Sequence, residues 1–147
     1  MRAPHRGIYL YQRIVQAKLF IDAHYHEQID LDNIADEACF SKFHFLRLFK
    51  KIYGRSPHQY LTKVRLEQAK KLLGNGCSVN DTCFSVGFDS HSSFSGLFKR
   101  YSSLSPSAYQ KQCFKKLELI RKSPLKFIPN CFAEQNGWKE KAFVVHP

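Results

Sequence analysis

Two sets of basic and hydrogen-bonding side chains recur in register along this sequence. In "SKFHFLRLFKKIYGRSPHQY", which begins at Ser41, Phe43, Leu46, Arg47 and Lys50 share one side of a helix. Forty-nine residues on, in "SHSSFSGLFKRYSSLSPSAY", the same positions hold Ser92, Ser95, Gly96 and Lys99. An arginine presents a planar fork of donors that matches paired acceptors such as a guanine edge, and a lysine presents a point charge suited to phosphate. That is chemistry of recognition, not of bond breaking. No nucleophile with a neighbouring base, no paired carboxylates and no phosphate loop occur, so an enzyme is not expected. The five cysteines, Cys39, Cys77, Cys83, Cys113 and Cys131, never form a C-x-x-C pair and read as reduced, mostly buried thiols of a cytosolic protein. His24 and His26 stand two apart and would point to different faces of a helix, so neither a metal nor any other cofactor is expected.

The opposite face of each copy carries a second stripe. Phe45, Leu48, Phe49 and Ile52 follow i, i+3, i+4, i+7 spacing, and Phe94, Leu97, Phe98 and Tyr101 repeat it. The inner faces match while the outer faces differ, as expected where core packing is shared and each outer face reads its own sequence in a DNA major groove. Phe43 and Leu46 are apolar groups on the outer side, and secondary core is the competing reading for them.

Helices must position these faces. Ile14, Ala17, Ile21 and Tyr25 mark a first helix of about five turns. Asp30 is placed to cap a short second helix with an inner face of Leu31, Ile34, Ala35 and Ala38. Ser41 caps the third, and Ser56-Pro57 with Gln59 forms a capping box opening a long fourth that ends near Gly74. Ser78 with Asp81 opens a fifth, Gly87-Phe88 turns into a sixth, and Ser105-Pro106 starts a seventh. Leu31, Ile34 and Ala35 align with Val79, Thr82 and Cys83 at an offset of forty-eight. Each unit is therefore a short helix, a tight turn and a second helix: a helix-turn-helix, present twice in an all-α chain.

Charge follows the repeat. The 23 Lys+Arg and 12 Asp+Glu give a net charge of +11, yet residues 1–37 hold 4 bases and 6 acids while residues 38–126 hold 17 bases and 4 acids. A basic stretch confined to the duplicated region predicts an anionic partner, with nucleic acid favoured over a membrane surface. No run of 18 apolar residues occurs, and a chain that is neither exported nor membrane-spanning is expected.

From Leu31 to Tyr109, "LDNIADEACFSKFHFLRLFKKIYGRSPHQYLTKVRLEQAKKLL" and "SVNDTCFSVGFDSHSSFSGLFKRYSSLSPSAY" resemble the DNA-binding domain of the AraC/XylS-type transcription regulators, and the likeness extends over about Gln12 to Gln112. The resemblance implies a seven-helix domain in which two helix-turn-helix units, joined by the long fourth helix, insert recognition helices into successive major grooves of double-stranded DNA. Carried over residue by residue, base-facing positions fall on Phe43, Leu46 and Arg47 in the first unit and His91, Ser92, Ser95 and Gly96 in the second. Lys42, Lys50 and Lys99 fall near phosphates. A monomer on DNA is expected, in the cytoplasm, with RNA polymerase as a candidate second partner. No effector-sensing domain is expected in these residues. A binder without sequence preference and a helical partner-binding module are the alternative functions.

The chain departs from the family pattern at four places. Thr82 and Cys83 replace Ile-Ala, Ser103 replaces a glycine before the second Ser-Pro, and Gln110 replaces a frequent arginine. Ser103 aligns with Gly54, so serine either adopts positive φ or the turn changes. The DNA-binding unit is placed at residues 8–113. Residues 114–147 form a C-terminal extension that lengthens the seventh helix and then either loosens or packs back or against a partner through Phe127, Ile128, Phe132, Trp138 and Phe143.

Overall fold

A computed structural model of the chain describes residues 6–30 and 41–138. Among the described residues every regular element is helical: α1 Arg6–His24, α2 Lys42–Tyr53, α3 Pro57–Gly74, α4 Val79–Ser85, α5 His91–Ser102, α6 Pro106–Lys122, a 3-10 turn Pro124–Phe127 and α7 Asn130–Gln135. Six of the seven helices expected of the tandem unit are thus present. The short one expected after Asp30, with Leu31, Ile34, Ala35 and Ala38, lies outside the described residues, as do Cys39 and Phe143.

Serine starts each helix from α2 to α6. Ser41, Ser56, Ser78, Ser90 and Ser105 all have extended backbone, and each hydroxyl accepts the N–H three residues on, which satisfies an otherwise orphaned donor. Ser56 and Gln59 complete the reciprocal capping box, with Ser56 N–H donating to Gln59 Oε1 at 3.1 Å. Proline at the first position of α3 and of α6 costs no hydrogen bond there.

Two cores sit side by side. Ile14, Ala17, Ile21, Phe45, Phe49 and Leu61 form the first, and Leu66, Ala69, Leu73, Cys83, Val86, Phe88, Phe94 and Phe98 form the second. Helix α3 supplies Leu61 to one and Leu66, Ala69 and Leu73 to the other, so it is both wall and connector, while Tyr25 packs against both cores. The four phenylalanines of the repeat are at most 1% exposed, in agreement with the inner stripes read from the sequence. Phe45 and Phe49 meet at 5.8 Å between ring centroids, and Phe94 and Phe98 repeat the contact at 5.7 Å.

Ile52 departs from the expected stripe: it is 38% exposed. Tyr53 takes the inner place instead, its ring 4.8 Å from Phe49 and 5.9 Å from Tyr60. The reversal at Gly54 brings the start of α3 against the last turn of α2, so the residue one step further round the helix meets Tyr60. The second unit solves the same corner differently. Tyr101, at the position of Ile52, donates its hydroxyl to Glu67 at 3.1 Å and lies beneath the Lys70 ammonium at 4.7 Å. Ser102, at the position of Tyr53, turns its hydroxyl back to the carbonyls of Phe98 and Leu104, each at 2.8 Å.

In the C-terminal extension helix α6 runs unbroken to Lys122 and is followed by the 3-10 turn, in which no residue is buried and Phe127 stays exposed. In the second part of the extension Trp138 meets Phe132 edge-on at 5.6 Å above a buried Ala133, although both aromatic rings stay well exposed.

Candidate nucleic-acid interface

The outer faces of α2 and α5 are where the sequence places them. On α2, Lys42, Phe43, Arg47 and Lys50 are exposed, and Phe43 is 78% exposed, which removes it from the core. Leu46 divides its surface, half-buried against the first core with the rest outside. The secondary-core reading thus holds in part for Leu46 and not for Phe43. On α5, His91, Ser92, Gly96 and Lys99 are exposed and Ser95 is half-buried.

The two faces offer different chemistry. Among the described residues Arg47, Lys50, Lys99 and Arg100 make no ion pair, so their donors are not committed within the protein. On α5 the hydroxyls are partly engaged: Ser92 Oγ lies 2.9 Å from the capping hydroxyl of Ser90, and Ser95 Oγ lies 3.4 Å from His91 Nδ1. A Cβ built at Gly96 would meet nothing within 4 Å, so the backbone there is bare on the outer side. The first face is large and apolar with Arg47 and Lys50 as long donors, and the second is flat, small and hydroxylated.

Two residues tie distant segments together: Arg65, which the sequence did not single out, and Gln110, which stood out in the sequence only as a departure from the family pattern. Arg65 sits on the inward row Leu61, Arg65, Ala69, Leu73 of α3 and is half-buried. Its Nε donates to Tyr25 O at 2.7 Å and its Nη2 to Glu27 O at 2.8 Å, while the guanidinium lies 5.6 Å from the centre of the Phe88 ring. Burial pulls its pKa down from the usual arginine range, and Asp89 pushes it the other way. Gln110 is the second: its amide donates to Cys77 O at 2.6 Å and to Leu73 O at 3.3 Å, closing the C-terminal end of α3. The available signal for Arg65 was a lone charge interrupting an i, i+4 apolar row; for Gln110 no local pattern exists.

Ser103 adopts the left-handed backbone that Gly54 adopts in the first unit, so the turn is conserved in shape between the two units. Gly87 shows why the second turn needs glycine. Its φ is +89°, and a Cβ there would lie 2.9 Å from Arg65 Nη2, Tyr25 O and His26 O.

Among the described residues no group of three or more His, Cys, Asp and Glu could hold a metal ion, and no helix is long and apolar enough to cross a membrane. The family model described as "Helix-turn-helix domain" matches residues 34–112, more than half of the chain. The transcriptional activator AarP of Providencia stuartii is 34% identical over 98 residues, which cover 66% of this chain and 73% of AarP. The transcriptional regulator YbfI of Bacillus subtilis is 38% identical over 73 residues, 50% of this chain. The match spans only 26% of YbfI, and 31% of the MmsAB operon regulatory protein of Pseudomonas aeruginosa, so the chain corresponds to about a quarter to a third of those relatives' length. Among solved structures, the DNA-binding domain of AdpA, crystallised with a target DNA, superposes with a TM-score of 0.65 at 32% identity over 68% of this chain and 91% of that one. An AraC-type regulator from Chromobacterium violaceum gives 0.63 at 26% identity over 70% of this chain and 93% of that one. The duplicated helix-turn-helix, its shared inner faces and these likenesses have one consequence: the chain belongs to the AraC/XylS-type family of helix-turn-helix transcription regulators.

Proposed function

We propose that the chain binds double-stranded DNA sequence-specifically as a transcription regulator, with α2 and α5 entering successive major grooves. One observation carries the reading. Two helices that bury the same positions, Phe45 and Phe49 in one and Phe94 and Phe98 in the other, present unlike exposed faces, and each exposed face has uncommitted bases at its margin. A scaffold needing charge alone would have no use for the difference. Arg47 is assigned to a guanine edge, Phe43 and Leu46 to thymine methyls or apolar base edges, and His91, Ser92, Ser95 and the bare backbone at Gly96 to the second groove. Lys42, Lys50 and Lys99 are assigned to phosphates.

Helix α3 has 18 residues and spans about 27 Å at ~1.5 Å per residue. With the flanking helices it suits two readers about one DNA turn, ~34 Å, apart. A monomer then covers two unlike half-sites on one face of the duplex. The DNA-binding unit is assigned to residues 8–113, with 114–147 as an extension for which RNA polymerase is the partner in view. The place of action is the cytoplasm, and no catalytic step belongs to this function.

The test is selection from random DNA followed by footprinting and a salt titration. Neutralising roughly 5 to 8 phosphates gives a slope of log K against log salt of about −4.5 to −7. A bounded, non-palindromic footprint is expected. Equal affinity for selected and random DNA, or a slope near zero, refutes the reading.

A further inference from the structure

Three segments that are distant in sequence meet at the Arg65 guanidinium. The first is the exit of α1, whose carbonyls at Tyr25 and Glu27 accept from Nε and Nη2 at 2.7 and 2.8 Å. Both residues lie just beyond the end of α1 at His24, where the backbone carbonyls have no helical partners and take the guanidinium donors instead. The second is α3 itself. The third is the turn of the second unit: Phe88 lies under the guanidinium, and Gly87 is pressed so close that a Cβ would be 2.9 Å from Arg65 Nη2 and from the carbonyls of Tyr25 and His26. Gln28 extends the seam by donating to Asp89 Oδ1 at 2.7 Å.

The seam lies between two cores that are otherwise complete. Phe45 and Phe49 belong to one and Phe94 and Phe98 to the other, and the seam joins them: Phe88 meets Phe94 at 5.4 Å between ring centroids, and Tyr25 packs against both cores. A planar fork can satisfy two carbonyls in its own plane while lying against an aromatic ring, and an ammonium cannot do all three at once.

We infer that Arg65 is the positioning residue that locks the two helix-turn-helix units at one mutual angle, and that the spacing tolerated between the two DNA half-sites is set through it. The part concerning DNA rests on the function proposed above, and the part concerning the angle does not. A rigid seam makes the two readers a fixed caliper. Inserting one base pair between half-sites moves the second by ~3.4 Å and turns it by about 35°, which a fixed caliper does not follow.

The experiment uses the full chain in three forms: native, Arg65→Met, which keeps the apolar stem, and Gln28→Ala on the exposed rim of the seam. Residual dipolar couplings of the free proteins are the first measurement. In the native chain one alignment tensor fits both units. In Arg65→Met each unit fits its own tensor, with the chemical shifts of both cores retained; if that variant does not fold, Gln28→Ala carries the test and shows a smaller divergence in the same direction. A single common tensor in every folded variant overturns the inference. The second measurement compares affinity for the selected site with that for sites one base pair longer or shorter. The native penalty for altered spacing is expected to fall by about tenfold in Arg65→Met, or ~1.4 kcal/mol. An unchanged penalty overturns the role in spacing. If the native chain shows no selected site at all, the DNA reading fails, and the tensors still decide the angle.

Discussion

Gly54 and Ser103 hold the same left-handed backbone, at φ 71°, ψ 2° and φ 65°, ψ 0°, each donating its N–H at 2.8 Å to the lysine carbonyl four residues earlier. The first unit meets this conformation with the residue that adopts it freely; the second pays for it with a Cβ. Among the described residues Ser103 is the one non-glycine with positive φ. Ser103→Gly is expected to stabilise the chain by about 1 kcal/mol, the relief of left-handed strain less the extra freedom of the unfolded glycine. Denaturant unfolding followed by circular dichroism reads this as a higher midpoint with unchanged slope. A lower midpoint would mean that the serine side chain contributes something the backbone geometry does not reveal.

Thr82 is fully buried in the second unit, and among the described residues its hydroxyl oxygen has no hydrogen-bond partner. Valine has the same shape without the unsatisfied group, so Thr82→Val is expected to raise stability by about 1 kcal/mol. DNA affinity should not change. Thermal melting of the free protein checks the first statement and binding at fixed salt the second; destabilisation would show that the hydroxyl is in fact bonded.

Gly87 and Gly96 should respond oppositely to alanine. At Gly87 three atoms crowd the new Cβ at 2.9 Å and φ is +89°, so Gly87→Ala is expected to cost several kcal/mol, on the order of 3 or more. At Gly96 the space is open inside a helix, so alanine should add about 1 kcal/mol of stability to the free protein. The same methyl stands on the face assigned to DNA. Binding should therefore weaken in Gly96→Ala as the fold strengthens, and tighter binding would place that backbone away from the duplex.

Arg47 and Phe43 are exposed, and neither belongs to a core cluster. Alanine at either should leave the melting temperature within experimental scatter. Arg47→Ala is expected to cost about 1–3 kcal/mol on the selected site and to relax preference at one base pair. Equal losses on selected and random DNA would reassign Arg47 to a phosphate.

The amino-acid sequence by itself determined the periodic and local features. Helix starts were legible because a serine hydroxyl three residues before a free N–H is a local device: Ser41, Ser56, Ser78 and Ser105 cap as their positions imply, while Ser90 caps the helix for which the sequence offered only the Gly87-Phe88 turn. The buried rows at Phe45 and Phe49 and at Phe94 and Phe98 were legible because helical spacing puts them on one side, and duplication repeated the message. The outer faces followed by subtraction, and the family likeness supplied the order of the two units.

Tertiary structure decided what depends on approach between segments far apart in the chain. Ile52 satisfies the helical row, yet Tyr53 fills the corner because α3 arrives on its side. Leu46 satisfies the outer row, yet it leans half into the first core. Arg65 interrupts an apolar row for no reason visible within α3; its partners Tyr25 and Glu27 lie 40 and 38 residues away, on backbone carbonyls that carry no side-chain signature. Gln110 likewise closes α3 from 37 and 33 residues off. Periodicity encodes which side of a helix is inward, because one turn is a property of the backbone alone. Which neighbour waits there is set by how the helices pack, and a carbonyl looks the same in every residue.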